Sequence, residues 1–251
     1  MFVGVGTSIN VLAILIGAAL GRSVGNRLPD KTRSLIMDVL GAVTLISAAS
    51  AIAALWDQEL KTALPEGSGL LIVLAALILG GLTGSAIRIE ERLDSLGERL
   101  QRFFVKTSKN AEGSQPSTFV AGFVTASLIF VVGPLAILGS ISDGMSAGID
   151  QLLLKSILDF FASIAFAAAL GWGVAFSALP VAIYQGLWTG VGFLLGEVMS
   201  EYQISAMTAT GGVLLFGIGL KLLNIKSVSI GNLLPSLAFA PVLALAVATL
   251  N

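Results

Sequence analysis

The sequence predicts an all-α protein that crosses a membrane about eight times, and two observations predict it. Of the 251 residues, 55% are hydrophobic and only 12% are charged, with a mean hydropathy of +0.94. A soluble domain carries about 25% charged residues, so this chain has too few charges to cover a water-facing surface. Eight separate stretches are also apolar over the roughly 20 residues that cross a hydrocarbon core of about 30 Å.

The predicted spans follow one another along a single transmembrane domain, residues 1–251. They lie near residues 4–21, 36–55, 69–87, 118–139, 152–171, 178–196, 205–223 and 228–250. The stretch from Phe160 to Gly196 has no charge and is too long for one tilted span. Gly171, Gly173 and Pro180 interrupt it, so we predict a tight hairpin of two spans there.

Lysine and arginine orient the predicted spans. All but two of the 14 basic residues, Lys61 and Lys155, fall in the first, third and seventh loops. With eight spans these loops share one side, which the positive-inside rule identifies as cytoplasmic. Both termini are therefore expected outside the cytoplasm.

The third loop contains a predicted amphipathic helix, residues 88–106, whose apolar residues recur every three or four positions. Such a helix lies on the inner membrane surface or on the ends of other spans, or else it docks a soluble partner. The polar segment 107–117 follows as a linker between the two halves of the protein.

Glycines recur within the spans at the spacing that brings helices close together. Three G-x-x-x-G pairs are predicted helix-packing sites: Gly17 with Gly21, Gly80 with Gly84, and Gly192 with Gly196. The segments around them, 14–28, 77–93 and 189–202, resemble one another. If spans one to three match spans six to eight, the repeat is inverted, as in many secondary transporters.

The strongest polar feature is the fifth span. Lys155 and Asp159 lie four residues apart on one helical face, with Ser156 and Ser163 near the same stripe. Near the start of the span, Lys155 can extend its side chain toward the outer surface. Asp159 lies close to the midplane and needs a partner, a proton or a cavity. The alternatives are a Lys155–Asp159 pair that only fixes packing and a site for a substrate, ion or proton.

Two further segments are candidates for the same site. Gly133-Pro134 breaks the fourth span, because proline lacks an N–H group, and the break exposes backbone groups that can bind ions. In the last span, Asn232 needs a hydrogen-bond partner in lipid. The candidate residues of these two segments are Gly133, Pro134, Gly139, Ser140, Asp143, Asn232 and Pro235.

Other single polar residues, including Asn10 in the first span and Gln185 in the sixth, are interpreted as hydrogen-bonding groups between helices. The absence of cysteine and histidine removes thiol chemistry, the commonest metal ligand and the commonest general base. We therefore expect no enzyme, no metal and no cofactor. The net charge of −1 offers no argument for a nucleic-acid partner.

The run from Lys155 to Phe166, KSILDFFASIAF, resembles the signature of the domain of unknown function 554 family, the YqgA/YdfK-like bacterial inner-membrane proteins. Three other features fit the same family: Ile9-Asn10 followed by the Gly17 pair, the stretch from Gly133 to Gly144, and the run from Asn232 to Pro235. The resemblance implies a multi-pass protein of the bacterial cytoplasmic membrane that is suspected to be a transporter. It implies no substrate and no catalytic residues.

The leading hypothesis is a secondary transporter or permease for a small solute or ion. Its site would involve the Lys155–Asp159 helix, the Gly133-Pro134 break and the last span. One alternative is a structural or signalling membrane protein in which the same groups only hold helices together, and another is a channel. The expected partners are the lipid bilayer and an unidentified small solute or ion, with a homo-oligomer left open.

Overall fold

In the part of the chain that its computed structural model describes, the protein consists of helices and the turns between them. The structure describes residues 2–25, 28–107, 116–132, 134–195 and 199–250, and these ranges contain no β-strand. Seven helical segments among them are long and apolar enough to cross a membrane. An eighth crossing is present if Thr118–Val131 and Leu135–Gly144, which meet at an angle of 64°, form one broken span. The predicted all-α membrane class is confirmed.

The helices fall into two compact units within what the sequence presents as one transmembrane domain. Unit 1 comprises Met1–Leu40, Glu91–Val131 and Leu135–Glu197, and unit 2 comprises Gly41–Glu90, Val132–Pro134 and Val198–Asn251. Three helices have residues in both units: α2 (Asp30–Ile52), α5 (Ile89–Thr107) and α7 (Pro134–Gly144), of which only Pro134 belongs to unit 2. The other helices of unit 1 are α1 (Val5–Gly25), α6 (Pro116–Val131), α8 (Asp150–Leu170), α9 (Gly173–Phe176) and α10 (Ala178–Leu195). Those of unit 2 are α3 (Gln58–Ala63), α4 (Ser68–Ala86), α11 (Glu201–Leu222), α12 (Ile230–Leu233) and α13 (Ser236–Thr249).

Helices α1 and α8 form the centre of unit 1 and run in the same direction. Their contacts advance together along both helices, pairing Gly6 with Leu152, Gly17 with Phe160, Gly21 with Ile164 and Gly25 with Ala168. At the last three positions a Cβ atom would overlap a backbone carbonyl oxygen of α8. Glycine is therefore what allows the two backbones to approach this closely.

The remaining helices of unit 1 pack around this pair. The ring of Phe130 in α6 meets that of Phe166 in α8 edge-on, with centroids 6.4 Å apart. The turn between α8 and α10 lies beside the C-terminal end of α1, where a Cβ at Gly171 would be 3.9 Å from the guanidinium of Arg22. From this turn α10 runs back along α1, so that Thr189 reaches the N-terminal end of α1.

The amphipathic helix predicted at 88–106 corresponds in position to α5. Its apolar residues Leu93, Leu96 and Leu100 are half-buried, and a Cβ at Gly97 would lie 3.0 Å from the ring of Phe123 in α6. This face therefore rests on the start of α6 within unit 1. Of the predicted linker 107–117, residues 108–115 lie outside the described part of the chain.

Unit 2 is built on two antiparallel contacts: α4 packs on α12 and α13, and α11 packs on the second half of α2. A Cβ at Gly80 or Gly84 of α4 would overlap backbone atoms of Ser236 or Asn232, respectively. The small residues of α11 approach the second half of α2 in the same manner, for example at Gly212. A buried apolar cluster stabilises the unit; its members are Leu60, Leu64, Ile72, Ala206 and Ala244.

Candidate functional site

A buried ion pair lies near the middle of α8. Lys155 Nζ donates to Asp159 Oδ2 at 2.7 Å, and each side chain is only 8% exposed. α8 has 21 residues and is about 30 Å long, which puts Asp159 about 14 Å from its first residue at 1.5 Å per residue. The Lys155 side chain could extend toward the outer surface or turn inward. The structure shows it turned inward along the helix, with its ammonium group on the Asp159 carboxylate.

Asn10 of α1 adds a second donor to the same carboxylate. Its Nδ2 atom donates to Asp159 Oδ2 at 3.0 Å, and the Asn10 side chain is fully buried. Since α1 and α8 pack backbone to backbone, a short amide is long enough to bridge them. Oxygen Oδ2 of Asp159 thus receives one charged donor and one neutral donor.

Several buried polar atoms at or near the level of this cluster have no hydrogen-bond partner among the described residues. They are Asn10 Oδ1, Ser163 Oγ and both amide atoms of Gln185, and all three residues are fully buried. A buried polar group without a partner costs about 1–3 kcal/mol, so such groups call for a water molecule, an ion or a ligand. These unpartnered groups make this region of unit 1 the candidate site.

The register of the helices places Gln185 at the level of Asn10. Thr7 Oγ1 of α1 and Thr189 Oγ1 of α10 lie 3.4 Å apart, and the two helices run in opposite directions. One turn further along, Asn10 lies about 4.5 Å beyond Thr7 and Gln185 about 6 Å beyond Thr189, at 1.5 Å per residue. Asn10 and Gln185 therefore reach nearly the same depth.

The predicted residue Asp143 lies at the N-terminal end of α1, where it accepts backbone hydrogen bonds. Its two carboxylate oxygens accept from Gly4 N at 3.3 Å and from Gly6 N at 3.0 Å. The amide groups at a helix N-terminus carry partial positive charge, so a carboxylate is stabilised there. Asp143 is 3% exposed and also lines a cavity of about 170 Å³ together with Phe2, Ser146, Gly148 and Ile149.

Polar groups thus occur at successive levels inside unit 1. Asp143 lies at the end where α1 begins, followed by the Thr7–Thr189 contact. The Lys155–Asp159–Asn10 cluster comes next, and Ser163 lies one turn of α8 further along. We call this series the polar file.

Other predicted site residues satisfy their polar groups within their own helix. Ser156 Oγ donates to the Leu152 carbonyl oxygen and Ser140 Oγ to that of Ala136, both at 2.6 Å. Gly139 provides room for Leu152, whose Cγ would lie 2.9 Å from an added Cβ. Of the predicted break, Pro134 begins α7, whereas Gly133 lies outside the described residues.

The two candidates from the last span belong to unit 2. Asn232 Oδ1 accepts from Glu90 N at 3.0 Å, and Glu90 Oε2 in turn accepts from Gly231 N at 3.0 Å. Pro235 immediately precedes α13. Asn232 thus joins the start of α5 to α12, and the structure does not bring it together with Asp159 in one unit.

A larger cavity, of about 790 Å³, occurs in unit 2. Its walls are mostly apolar and include the exposed Trp56, with Lys61 and Glu66 as its charged residues. None of the predicted site residues that the structure describes lines it.

The glycines predicted for helix packing face neighbouring backbones wherever the structure describes them. Gly17, Gly21, Gly80 and Gly84 do so as described above, and a Cβ at Gly192 of α10 would overlap the Ile141 carbonyl oxygen of α7. Gly196 lies outside the described residues.

Sequence reasoning did not assign Asn10 and Gln185 to the site. Each is a single amide in an otherwise apolar span, and such residues commonly connect helices. For Asn10 there was a signal that could have marked it as a candidate: it belongs to the Ile9-Asn10 opening, one of the features that fit the family. For Gln185 the sequence contains no comparable signal, because its relation to Asn10 depends on how α1 and α10 pack.

Apolar helices of membrane-spanning length, with a charged pair inside one of them, define a polytopic α-helical membrane protein. The chain belongs to the family described as protein of unknown function (DUF554), whose model matches residues 5–245. It is similar to the uncharacterized membrane protein YdfK of Bacillus subtilis (strain 168), with 27% identity over 237 residues. It is equally similar to the uncharacterized protein YqgA of Escherichia coli (strain K12), over 245 residues, and each match covers 94% of both chains. No solved structure matches the chain.

Proposed function

We propose that this protein is a secondary transporter of the bacterial cytoplasmic membrane and that it moves a small solute or an ion through the polar file of unit 1. The proposal rests on one observation. Unpartnered polar atoms of Asn10, Ser163 and Gln185 lie in unit 1 at or near the level of a buried ion pair in the middle of an apolar helix. A cluster that only fixed helix packing would gain most by satisfying every polar atom, since a partly satisfied buried network is less stable than an apolar core.

Asp159 is the centre of the proposed mechanism. In the state seen here it is bonded to Lys155 and Asn10. Binding of a proton, ion or solute would change the charge at Asp159 and release Lys155, and this release would be the event that couples binding to a conformational change. A ligand shifts the equilibrium between two conformations only if it interacts differently with each. A change of charge within an apolar helix provides such a difference.

The test is transport by purified protein in liposomes. Accumulation of labelled small solutes and responses to Na⁺, K⁺ and H⁺ gradients are compared between protein-containing and protein-free liposomes. We expect Asp159→Asn to abolish the transport that the wild type shows, while the variant still inserts into the membrane. Asp150→Asn is the matched control, because it removes an exposed carboxylate from the first turn of the same helix. Wild-type transport by Asp159→Asn would refute the proposal.

The concentration dependence of transport in liposomes separates a transporter from a channel, and a cellular phenotype separates a transporter from a structural protein. Transport through an alternating site saturates once that site is filled, whereas flux through an open pore keeps increasing to much higher solute concentrations. A purely structural role predicts that joint replacement of Lys155 and Asp159 by leucine preserves the cellular phenotype. The transporter proposal predicts its loss.

A further inference from the structure

The side-chain amide of Asn10 presents an unused oxygen to the interior of unit 1. Because its Nδ2 atom donates to Asp159, the orientation of the amide is determined, and Oδ1 is an acceptor without a partner among the described residues. Gln185 lies at the same level and is fully buried, with both amide atoms unpartnered within that part of the chain. Asp159 contributes the negative charge.

This set of groups suits a cation better than an anion or a neutral solute. Carboxylate and amide oxygens are the ligands of hard cations, and an anion would meet the Asp159 carboxylate and the Asn10 oxygen. The charge count favours a monovalent ion, since Asp159 is the one carboxylate in the cluster. The described residues also contain no group of three or more Asp or Glu side chains able to hold a metal ion. A proton on Asp159 would leave the other oxygens without partners.

The ammonium group of Lys155 already occupies the place of a cation. It lies 2.7 Å from Asp159 Oδ2, within hydrogen-bond distance. Because Lys155 is four residues from Asp159 on the same helix, the helix keeps the ammonium group close to the carboxylate. The aromatic ring of Phe130 lies near it, with its centroid 6.0 Å from Nζ. A free cation that reached Asp159 would therefore have to displace Lys155.

We infer that Asp159, Asn10 and Gln185 form a binding site for a small monovalent cation such as Na⁺, and that Lys155 is a tethered competitor for that site. This inference rests on the proposed function in one respect: the cation would be the ion that the transporter moves or uses for coupling. Binding itself is measurable without transport.

The first experiment measures thermal unfolding of the full-length protein in detergent at a fixed alkaline pH. Intrinsic tryptophan fluorescence is followed in NaCl, LiCl, KCl and choline chloride at equal ionic strength. A ligand that binds only the folded state raises the midpoint temperature in proportion to the logarithm of its concentration. We expect Na⁺ to stabilise the wild type more than choline does.

The Lys155→Met variant is the decisive one. Removal of the competing ammonium should lower the half-saturating Na⁺ concentration by about tenfold or more, because the binding-competent state no longer requires displacement of Lys155. The double variant K155M/D159N should lose the difference between Na⁺ and choline. Lys61→Met, which removes an exposed lysine of unit 2, should behave as the wild type.

Equilibrium binding of ²²Na⁺ to the wild type and to Asp159→Asn provides a second measurement should Lys155→Met fail to fold. We expect saturable binding to the wild type and none to Asp159→Asn. Absence of saturable binding to the wild type, or a Na⁺ response that persists in K155M/D159N, would overturn the cation site. Stabilisation by lower pH alone, with equal effects of Na⁺ and choline, would also overturn it.

The outcomes separate this inference from the proposed function. Na⁺ binding that depends on Asp159, in a protein that transports nothing, would leave the cation site standing and remove the transporter. Transport that depends on Asp159 without cation-specific binding would remove the cation site and leave the transporter.

Discussion

At the residue scale, the two amides of the cluster have opposite relations to their surroundings. Asn10 donates to a buried carboxylate, whereas neither amide atom of Gln185 has a partner among the described residues. A hydrogen bond to a charged group contributes about 1.5–3 kcal/mol, and an unpartnered buried amide contributes an unfavourable term instead. The two residues therefore separate the stabilising effect of a hydrogen bond to a buried charge from the cost of an unpartnered buried amide.

We expect Asn10→Leu to lower the free energy of unfolding by about 1.5–3 kcal/mol, since Asp159 loses a donor. Gln185→Leu should leave stability unchanged or raise it, because leucine removes two unpartnered polar atoms. Denaturant or thermal unfolding in detergent measures both. A large loss of stability in Gln185→Leu would mean that its amide is satisfied in the folded protein.

The ion pair is best tested by a double-mutant cycle. Replacing Lys155 alone by methionine leaves a buried carboxylate without its cation and should cost about 3–5 kcal/mol. Replacing Lys155 by methionine and Asp159 by leucine together should cost much less, because no unpaired charge remains. Unfolding of these two variants and of Asp159→Leu alone measures the coupling, and additive effects of the single changes would contradict a direct pair.

At the scale of elements, glycine determines which helices can meet. The α1–α8 contact depends on Gly17, Gly21 and Gly25, each facing a backbone carbonyl oxygen. Without a hydrophobic driving force between helices in lipid, close backbone approach is what stabilises such a pair. The same contact brings Asn10 to Asp159, so the packing of α1 on α8 also builds the site.

Gly21→Ala should therefore destabilise the protein by about 1–3 kcal/mol, the usual range for overpacking. Gly190→Ala in α10 is the matched control, because outside the backbone of its own helix no atom of the described residues lies within 4 Å of an added Cβ there. In the control, alanine should be neutral or stabilising by up to about 1 kcal/mol through its higher helix propensity. Thermal unfolding compares the two, and equal effects would show that α1 and α8 are not in close backbone contact.

At the scale of the whole molecule, the directions of the helices bear on the number of crossings. α1 and α8 run parallel, as the first and fifth of eight alternating spans must. If the bent pair α6–α7 did not cross, α8 would be the fourth crossing and would oppose α1. From the parallel contact we predict that the bent pair crosses as one span, with eight crossings in total and both termini on the same side.

Reporter fusions test this topology. Alkaline phosphatase fused after Asn251 should be active, because this reporter works outside the cytoplasm. Green fluorescent protein at the same position should be dark, because it fluoresces only when it is on the cytoplasmic side. The matched control is a fusion after Arg102 in the basic third loop, where the reporters should give the reverse pattern. A fluorescent fusion after Asn251 would refute the eight-span topology.

The sequence by itself determined the class of protein and the central pair of residues. Hydropathy over about 20 residues is a local property, so the membrane class follows from composition along the chain. The contact between Lys155 and Asp159 is equally local, because residues four apart meet on one face of any α-helix. Both features were therefore predictable before the helices were placed.

Only the tertiary structure decided which distant groups join that pair. Asn10 is 149 positions from Asp159, and Thr7 and Thr189 are 182 positions apart. Asn232, a sequence candidate for the site, bonds Glu90 in unit 2 instead. The physical reason is that helices in lipid associate through small residues and polar contacts, which recur in many spans and do not specify a partner. The composition of the site is thus a property of helix packing, which hydropathy does not encode.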